Sequence, residues 1–371
     1  MPDNATIYSP IRFFPNEEQL RPLVGDTTVS VDEAAQRATV SWPDGPSVSL
    51  SRMPDDQMGQ HLSGLQGFIL EQGGGDGLAI RALSTLSVYG MVVEPGFDDG
   101  GRAMAFVAAL TGATDGLCLL GGDIVDQTGT SLLAGGAQTP TAARVARRAL
   151  VLLALSFRAL LEDNAGTADE SEGEALRQKL ATWLERTPDL TTAAEAHELE
   201  LIKAPLGATD QHAITNGAWC AEGAQVLLWA LGARELPAHD EQEHPFDVAR
   251  AVGVLSDGPP KLYESLSLRI PEDLDWMRRR LLGVHWRLTE SRVNPNASVD
   301  FRQFSEENWF GGFDLEDIRL VEGDLAIGDA PVTRADPSHV GRASSTAMER
   351  HRAINWLVGA HPIYSRVPTP T

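Results

Sequence analysis

The sequence contains few cysteines, which limits the kinds of site that it can build. Only two occur in 371 residues, Cys118 and Cys220, and both lie in apolar stretches where a thiol packs as a small buried side chain. Two cysteines cannot form the disulfide framework of a small secreted domain, and neither has the paired spacing of a zinc site. We therefore expect buried thiols, no metal site and no cofactor.

Long hydrophobic runs are also missing. No uninterrupted apolar run reaches the length of a membrane-spanning helix, and the N-terminus lacks the charged-then-apolar pattern of a secretion signal. These absences predict that the protein does not act at a membrane. They favour the reducing cytoplasm as its location.

Positive charge is scarce relative to negative charge. The chain has 30 Lys and Arg against 52 Asp and Glu, and its formal net charge is −22. Such a field repels phosphate backbones, so we expect no nucleic-acid partner. It favours capture of a basic protein partner, although simple solubility would also explain the acid excess. The sequence does not indicate an oligomeric state.

The chain is long enough for two domains, and its patterns change near residue 140. Residues 1–138 predict a small α+β domain, a sheet with helices on one face. Strands are predicted over 5–53, with a hairpin turn at 43–46, and over 86–95 and 116–126. Helices are predicted over 57–70 and from Asp98 or Asp99 to about residue 110, and residues 72–77 read as a flexible glycine-rich loop.

Residues 139–371 predict a mainly helical domain with a short late β hairpin. Of the eight tryptophans only Trp42 precedes this half, so most of the large aromatic packing belongs to it. Residues 163–174 read as a mobile acidic loop, 293–315 as irregular, and 318–327 as the hairpin. Apolar periodicity predicts helices over 142–161, 175–185, 192–201, 219–232, 245–254, 274–290 and 344–358.

The helix predicted over 219–232, WCAEGAQVLLWALG, is apolar on every side and should be buried. Gly223 would allow a neighbouring helix to approach closely. Glu222 is the exception on this helix, because a buried carboxylate must be paired, hydrogen-bonded or protonated. It fits either a structural ion pair with an arginine of a neighbouring helix or a functional carboxylate at the floor of a pocket.

Other polar residues on the predicted core helices also have two interpretations. Their hydrogen-bonding groups could be paired in a shared buried network, or they could line a ligand pocket between the C-terminal helices. The complete candidate set is Trp219, Glu222, His285, Trp286, Glu349, Arg350, His351, Asn355 and Trp356.

The motifs that would identify a reaction are incomplete. IVDQTGTSLL, residues 124–133, has an aspartate after an apolar strand, Asp126, as in phosphoryl-transfer enzymes, but Gln127 replaces the expected lysine. HDEQEH, residues 239–244, has the wrong spacing for two histidines to share a metal, and a solvated charged loop is favoured. No phosphate-binding loop and no serine elbow is present.

Several segments together resemble the bacterial family called domain of unknown function 4272 (DUF4272). They are RVARRALVLLALSFRALLE (144–162), WCAEGAQVLLWALG (219–232), LLGVHWRLTESR (281–292), GDLAIG (323–328) and ERHRAINWLVG (349–359). The likeness covers roughly residues 140–371, and it departs at Cys220, a position that is often basic in the family.

The resemblance implies a fold and a set of motif residues but no activity. The residues that match recurrent family positions are Glu222, His285, Trp286, Glu349, Arg350, Asn355 and Trp356. Two functions therefore stay open, with the first favoured because no catalytic motif is complete. The first is a non-catalytic binding or regulatory protein. The second is an enzyme or small-molecule binder with Glu222 and either His285 or His351 as acid and base, and with Arg350 and Asn355 orienting an anionic or polar ligand.

Overall fold

The computed structural model describes residues 4–25, 27–43, 47–93, 101–133, 139–163, 170–264, 266–295, 297–307 and 312–371. The chain divides into two compact units. The first is Met1–Gln138 with Gly359–His361, and the second is Thr139–Val358 with Pro362–Thr369. The α+β class predicted for the chain is confirmed, because an antiparallel sheet with helices precedes a helical region that ends with a small three-stranded sheet.

In the first unit, the described residues form seven strands and four helices. Their order is β1 (Asn4–Ser9), α1 (Glu17–Val24), β2 (Thr28–Asp32), β3 (Arg37–Ser41), β4 (Ser47–Arg52), α2 (Asp55–Glu71), α3 (Gly75–Leu83), β5 (Ser87–Val93), α4 (Arg102–Ala113), β6 (Leu117–Leu120) and β7 (Asp123–Val125). The strands make one antiparallel sheet in the order β2-β3-β4-β5-β1-β6-β7.

Helices cover both faces of this sheet, so the expectation of helices on one face is wrong. Neighbouring residues of β1 belong to different cores. Ile7 packs in the core that contains residues of α1 and α4, and Tyr8 packs in the core formed with α2 and α3. Because successive side chains of a strand point to opposite faces, the two helix pairs lie on opposite sides of the sheet.

Several other local predictions for this unit need correction. Helix α1 interrupts the stretch read as strands, and it begins at a capping box of Asn16 and Gln19. The glycine-rich loop already enters α3 at Gly75. Residues 116–126 form the hairpin β6–β7, because Gly121 and Gly122 both have positive φ and turn the chain. The proposed cap at Asp98 or Asp99 lies outside the described residues.

The described part of the second unit contains nine helices and three short strands. Their order is α5 (Ala142–Asp163), α6 (Glu170–Arg186), α7 (Leu190–Ala193), α8 (Ala196–Lys203), α9 (Gln211–Ala230), α10 (Pro245–Val252), α11 (Pro271–Val293), α12 (Phe301–Glu307), β8 (Leu320–Val321), β9 (Asp324–Ile327), β10 (Ala330–Pro331) and α13 (Pro337–Leu357). The strands form a small antiparallel sheet in the order β10-β9-β8.

Helix α9 is the central helix that the sequence predicted, but it begins earlier. Asp210 caps it by accepting hydrogen bonds from the backbone of His212 and Ala213, about two and a half turns before Trp219. It packs along α5 and α13, and α13 also packs along α11. Every residue from 221 to 230 is buried, as expected for a helix without a polar face.

Four predictions for this unit differ from the structure. Glu170 already lies in α6, so the C-terminal part of the acidic stretch is helical, while 164–169 lie outside the described residues. The helix predicted over 192–201 is two helices, α7 and α8. The stretch read as irregular contains α12. The HDEQEH segment is not a fully solvated loop, because the His239 side chain is buried.

Candidate functional site

The candidate polar residues lie on three packed helices, α9, α11 and α13. Helix α13 carries most of them, and neighbouring residues on it contact different partners because successive positions on a helix are about 100° apart. Arg350 contacts α9, whereas His351 contacts α11. The candidates therefore separate into distinct contacts rather than meeting in one cleft.

The Glu222 carboxylate forms a buried ion pair with the Arg350 guanidinium. Arg350 Nε lies 2.9 Å and Nη2 lies 2.8 Å from Glu222 Oε2, and both side chains are at most 4% exposed. Burial raises the pKa of Glu222, and Arg350 opposes that rise. The pair joins α9 to α13.

Arg350 also binds the segment that follows α9. Its Nη1 donates to the carbonyls of Pro237 and Ala238 at 2.9 Å, and its Nη2 donates to the carbonyl of Glu241 at 2.9 Å. With the contacts to Glu222, all three nitrogens of the guanidinium have a partner inside the protein. The Arg350 side chain is also only 1% exposed, so it is held within the protein rather than presented to solvent.

The same segment, residues 237–243, is held at other points. His239 Nε2 lies 2.6 Å from the carbonyl oxygen of Ala326, and Asp240 accepts hydrogen bonds from Arg319 and from the backbone of Gly328. Burial lowers the pKa of His239, so its ring stays neutral at physiological pH. The histidine that sequence spacing placed in a charged loop is a fixed structural contact.

His285 of α11 and His351 of α13 bond directly to each other. Their Nδ1 atoms are 2.9 Å apart and their rings meet edge to face, with centroids 5.2 Å apart. Burial, helped by the positive charges of Arg292 and Arg352, lowers the pKa of His285 to about 4. Burial also lowers the pKa of His351 well below its ordinary value. Both rings are thus neutral, and one donates to the other.

Glu349 and Asn355 lie in a third environment, near the C-terminal segment of the unit. Glu349 accepts a hydrogen bond of 2.5 Å from Arg352, and burial raises its pKa. Asn355 donates to the carbonyl of Pro368 at 2.9 Å. In the described part of the chain, Glu349 Oε2, Asn355 Oδ1 and the Tyr364 hydroxyl have no hydrogen-bond partner. These atoms are enclosed, so they do not face an open cleft.

The candidate tryptophans serve packing in separate places. Trp286 stacks on Phe304 with ring centroids 3.9 Å apart and lies in a cluster with Phe301 and Phe313. Trp356 packs edge to face on Tyr364. Trp219 is half-buried and has no ring contact within the described residues. No common aromatic wall joins the three.

The aspartate turn after β7 is a local structure. Asp126 Oδ1 accepts hydrogen bonds from the backbone of Thr128 and Thr130 and from the Thr128 hydroxyl. Partial burial acts to raise the pKa of Asp126, and these hydrogen bonds more than offset that effect and lower it. An aspartate that holds its own turn in this way has the role of a turn former.

Sequence reasoning missed other buried ion pairs. Arg287 binds Asp324 through two hydrogen bonds of 2.7 Å, and Arg148 binds Glu198. Both pairs join residues far apart in the chain, so no local pattern could have matched the partners. Among the described residues, no group of three or more His, Cys, Asp or Glu side chains is placed to hold a metal ion. No described helix has the length and hydropathy to cross a membrane.

The comparison with known families gives one match. Residues 133–301 match the model described as "Domain of unknown function (DUF4272)". This segment of the chain belongs to the DUF4272 family. No curated protein and no solved structure matches the chain. The matched DUF4272 segment includes α5, together with α9, which carries Glu222, and α11, which carries His285.

Proposed function

We propose that this protein is a non-catalytic binding protein of the cytoplasm that captures a basic protein partner. The non-catalytic part rests on one observation: all three nitrogens of the buried Arg350 guanidinium are engaged by Glu222 and three backbone carbonyls. An arginine that positions a substrate needs donors directed into a cleft. This one holds two helices and a segment of chain together.

The histidine pair supports the same conclusion. A general acid or base must reach the proton that it transfers, with a pKa near the working pH. His285 and His351 are buried, and each has the other's Nδ1 as partner. The separate contacts of these residues argue against the enzyme alternative, in which Glu222, His285, Arg350 and Asn355 share one pocket.

The net charge of −22 favours a cationic partner. An acidic recess in the second unit is a candidate binding site for such a partner. The recess has a volume of about 760 Å³, and its lining combines carboxylates with apolar side chains. Among the described residues that line it, Glu306, Glu316 and Asp317 lie with Phe313 and Leu315 and with one cation, Arg302. Carboxylates beside an aromatic surface suit the guanidinium or ammonium group of a basic segment.

Binding of a fluorescently labelled oligo-arginine peptide would test this proposal. The recess variant Glu306→Gln/Glu316→Gln/Asp317→Asn should bind about tenfold more weakly, since three exposed charge contacts of about 0.5 kcal/mol each sum to about 1.5 kcal/mol. The affinity of the wild type should also fall as salt rises.

A charge-matched control separates the recess from the overall charge. Glu18→Gln/Glu33→Gln/Glu71→Gln removes three exposed acidic residues from the first unit and should change the affinity little. An equal loss in both triple variants would show that the peptide responds only to net charge, and it would remove the recess from the proposal. Turnover of a substrate by the wild type that is lost in Glu222→Gln would overturn the non-catalytic part.

A further inference from the structure

A second cavity of the helical unit lies between the C-terminal half of α6 and the turn after α10. Its volume is about 380 Å³, within the range of small-molecule sites. Residues 179–188 form one wall and residues 255–260 form the other. None of the candidate residues chosen from the sequence lines it.

Two cations line this cavity without a partner among the residues that the structure describes. Lys179, Trp183 and Arg186 follow each other at spacings of four and three residues, so they lie along one side of α6. Lys179 and Arg186 are exposed, and neither makes a hydrogen bond or ion pair with any described residue. In a protein with 52 acidic residues, two unpaired cations on one cavity wall are a local excess of positive charge.

The indole of Trp183 lies between the two cations on the same wall. Trp183 is only 6% exposed, and its Nε1 has no hydrogen-bond partner within the described residues. Buried indole N–H groups normally find an acceptor, because leaving a buried donor unpaired is costly. Apolar surface completes the cavity, from Pro188 on one side and from Leu255, Pro259 and Pro260 on the other.

The opposite wall has a strained backbone. Leu255 has φ of +62°, a conformation that costs a branched side chain energy. Gly253, two residues earlier at the end of α10, has φ of +88°, and a side chain there would meet the backbone nitrogen of Lys261 at 2.9 Å. Strain of this kind is maintained where surrounding contacts fix the chain, and it is concentrated at binding sites.

From this geometry we infer that the cavity binds a small organic oxyanion, a carboxylate or phosphate group attached to an apolar body. Lys179 and Arg186 hold the oxyanion, and Trp183, Leu255 and the prolines enclose the apolar part. The net charge of −22 does not oppose this, because in salt a small ligand senses charges only within about 8–10 Å. Asp257, also in the lining, weakens the site by its like charge.

Calorimetric titration with phenyl phosphate and with benzoate tests the site, and phenol is the neutral reference. Lys179→Gln/Arg186→Gln should weaken binding of the preferred anion at least about tenfold, since charge-assisted bonds are lost. Asp257→Asn should strengthen it severalfold. Arg37→Gln/Arg292→Gln, which removes two other exposed cations that form no ion pair with a described residue, should leave it unchanged. All these side chains are exposed, so thermal melting should show each variant folded.

The relative affinities of the three probes identify the ligand class. Tighter binding of phenyl phosphate than of benzoate would assign a phosphate ligand, and the reverse order would assign a carboxylate. Failure of both anions to bind, equal binding of phenol, or unchanged affinity in Lys179→Gln/Arg186→Gln would each overturn the inference. The result is independent of the acidic recess, because the recess variant retains every residue of this cavity.

Discussion

His285 and His351 are joined by a hydrogen bond of 2.9 Å between their Nδ1 atoms, which links α11 to α13 inside the helical unit. Two imidazoles can share such a bond only while one Nδ1 lacks a proton. The groups that act on the pair are the guanidiniums of Arg278, Arg292 and Arg352, all positive. A proton added to either ring would therefore be opposed by burial and by charge.

This relationship predicts a loss of stability in mild acid. The pKa of His285 is about 4 in the folded protein against 6.5 when unfolded, so the folded state binds the proton more weakly. Stability is fully present above about pH 6.5 and is lost as the pH falls toward about 4. The loss from His285 alone should reach about 3 kcal/mol. Urea unfolding at a series of pH values measures it.

Two variants isolate the histidine contribution from that of the carboxylates. His285→Gln should reduce the pH dependence between 6.5 and 4, because its amide does not titrate and only His351 of the pair still does. His197→Gln, whose side chain is 64% exposed, should retain the wild-type profile. An unchanged profile in His285→Gln would refute the assignment.

A second prediction concerns the ion pair between Glu222 and Arg350. Arg350→Met should destabilise the protein by about 3–5 kcal/mol, because Glu222 is left buried without its cation. Glu222→Leu/Arg350→Met should recover part of that loss by removing the stranded carboxylate. A double-mutant cycle on unfolding free energies measures the coupling. Strictly additive effects would show that the two side chains do not stabilise each other.

A third prediction follows from the close approach of Tyr364 to Gly223. A methyl group added at Gly223 would clash with the Tyr364 hydroxyl oxygen, but it would lie 3.5 Å from the ring carbon that bears the hydroxyl. Gly223→Ala should therefore cost about 1–3 kcal/mol.

Tyr364→Phe should rescue the Gly223→Ala variant. On its own it should cost little, since the hydroxyl has no partner in the part of the chain that the structure describes. Unfolding free energies of the two single variants and the double variant are the measurement. The packing argument fails if Tyr364→Phe does not improve the stability of Gly223→Ala.

A fourth prediction tests the packing role of Trp286. Its ring stacks on Phe304 and lies within 6.2 Å of Phe301, so Trp286→Ala should destabilise the protein by about 3–5 kcal/mol. Thermal unfolding followed by circular dichroism measures this. Trp286→Phe should cost more than the matched change Trp219→Phe, because Trp219 has no described ring contact. Equal costs for these two phenylalanine variants would contradict the stacking argument.

Local pattern was informative where one helix or strand buries one face. The apolar period of three and four residues found α9, α11 and α13, and strand alternation on either side of residues 43–46 found β3 and β4. It failed where a short element depends on its neighbours. Helix α12 has only seven residues, and burial of Phe301 against the aromatic cluster stabilises it.

The sequence by itself determined the α+β class, the acid excess and the fact that Glu222, on an apolar helix, needed a compensating group. It could not determine which group, because partner choice depends on which residues of distant helices face each other. Only the tertiary structure showed that Glu222 pairs with Arg350 and that His285 bonds to His351. It also placed Lys179 and Arg186 beside Trp183, without described partners. The physical reason is that hydrogen bonds act over about 3 Å, and packing alone brings such residues within that distance.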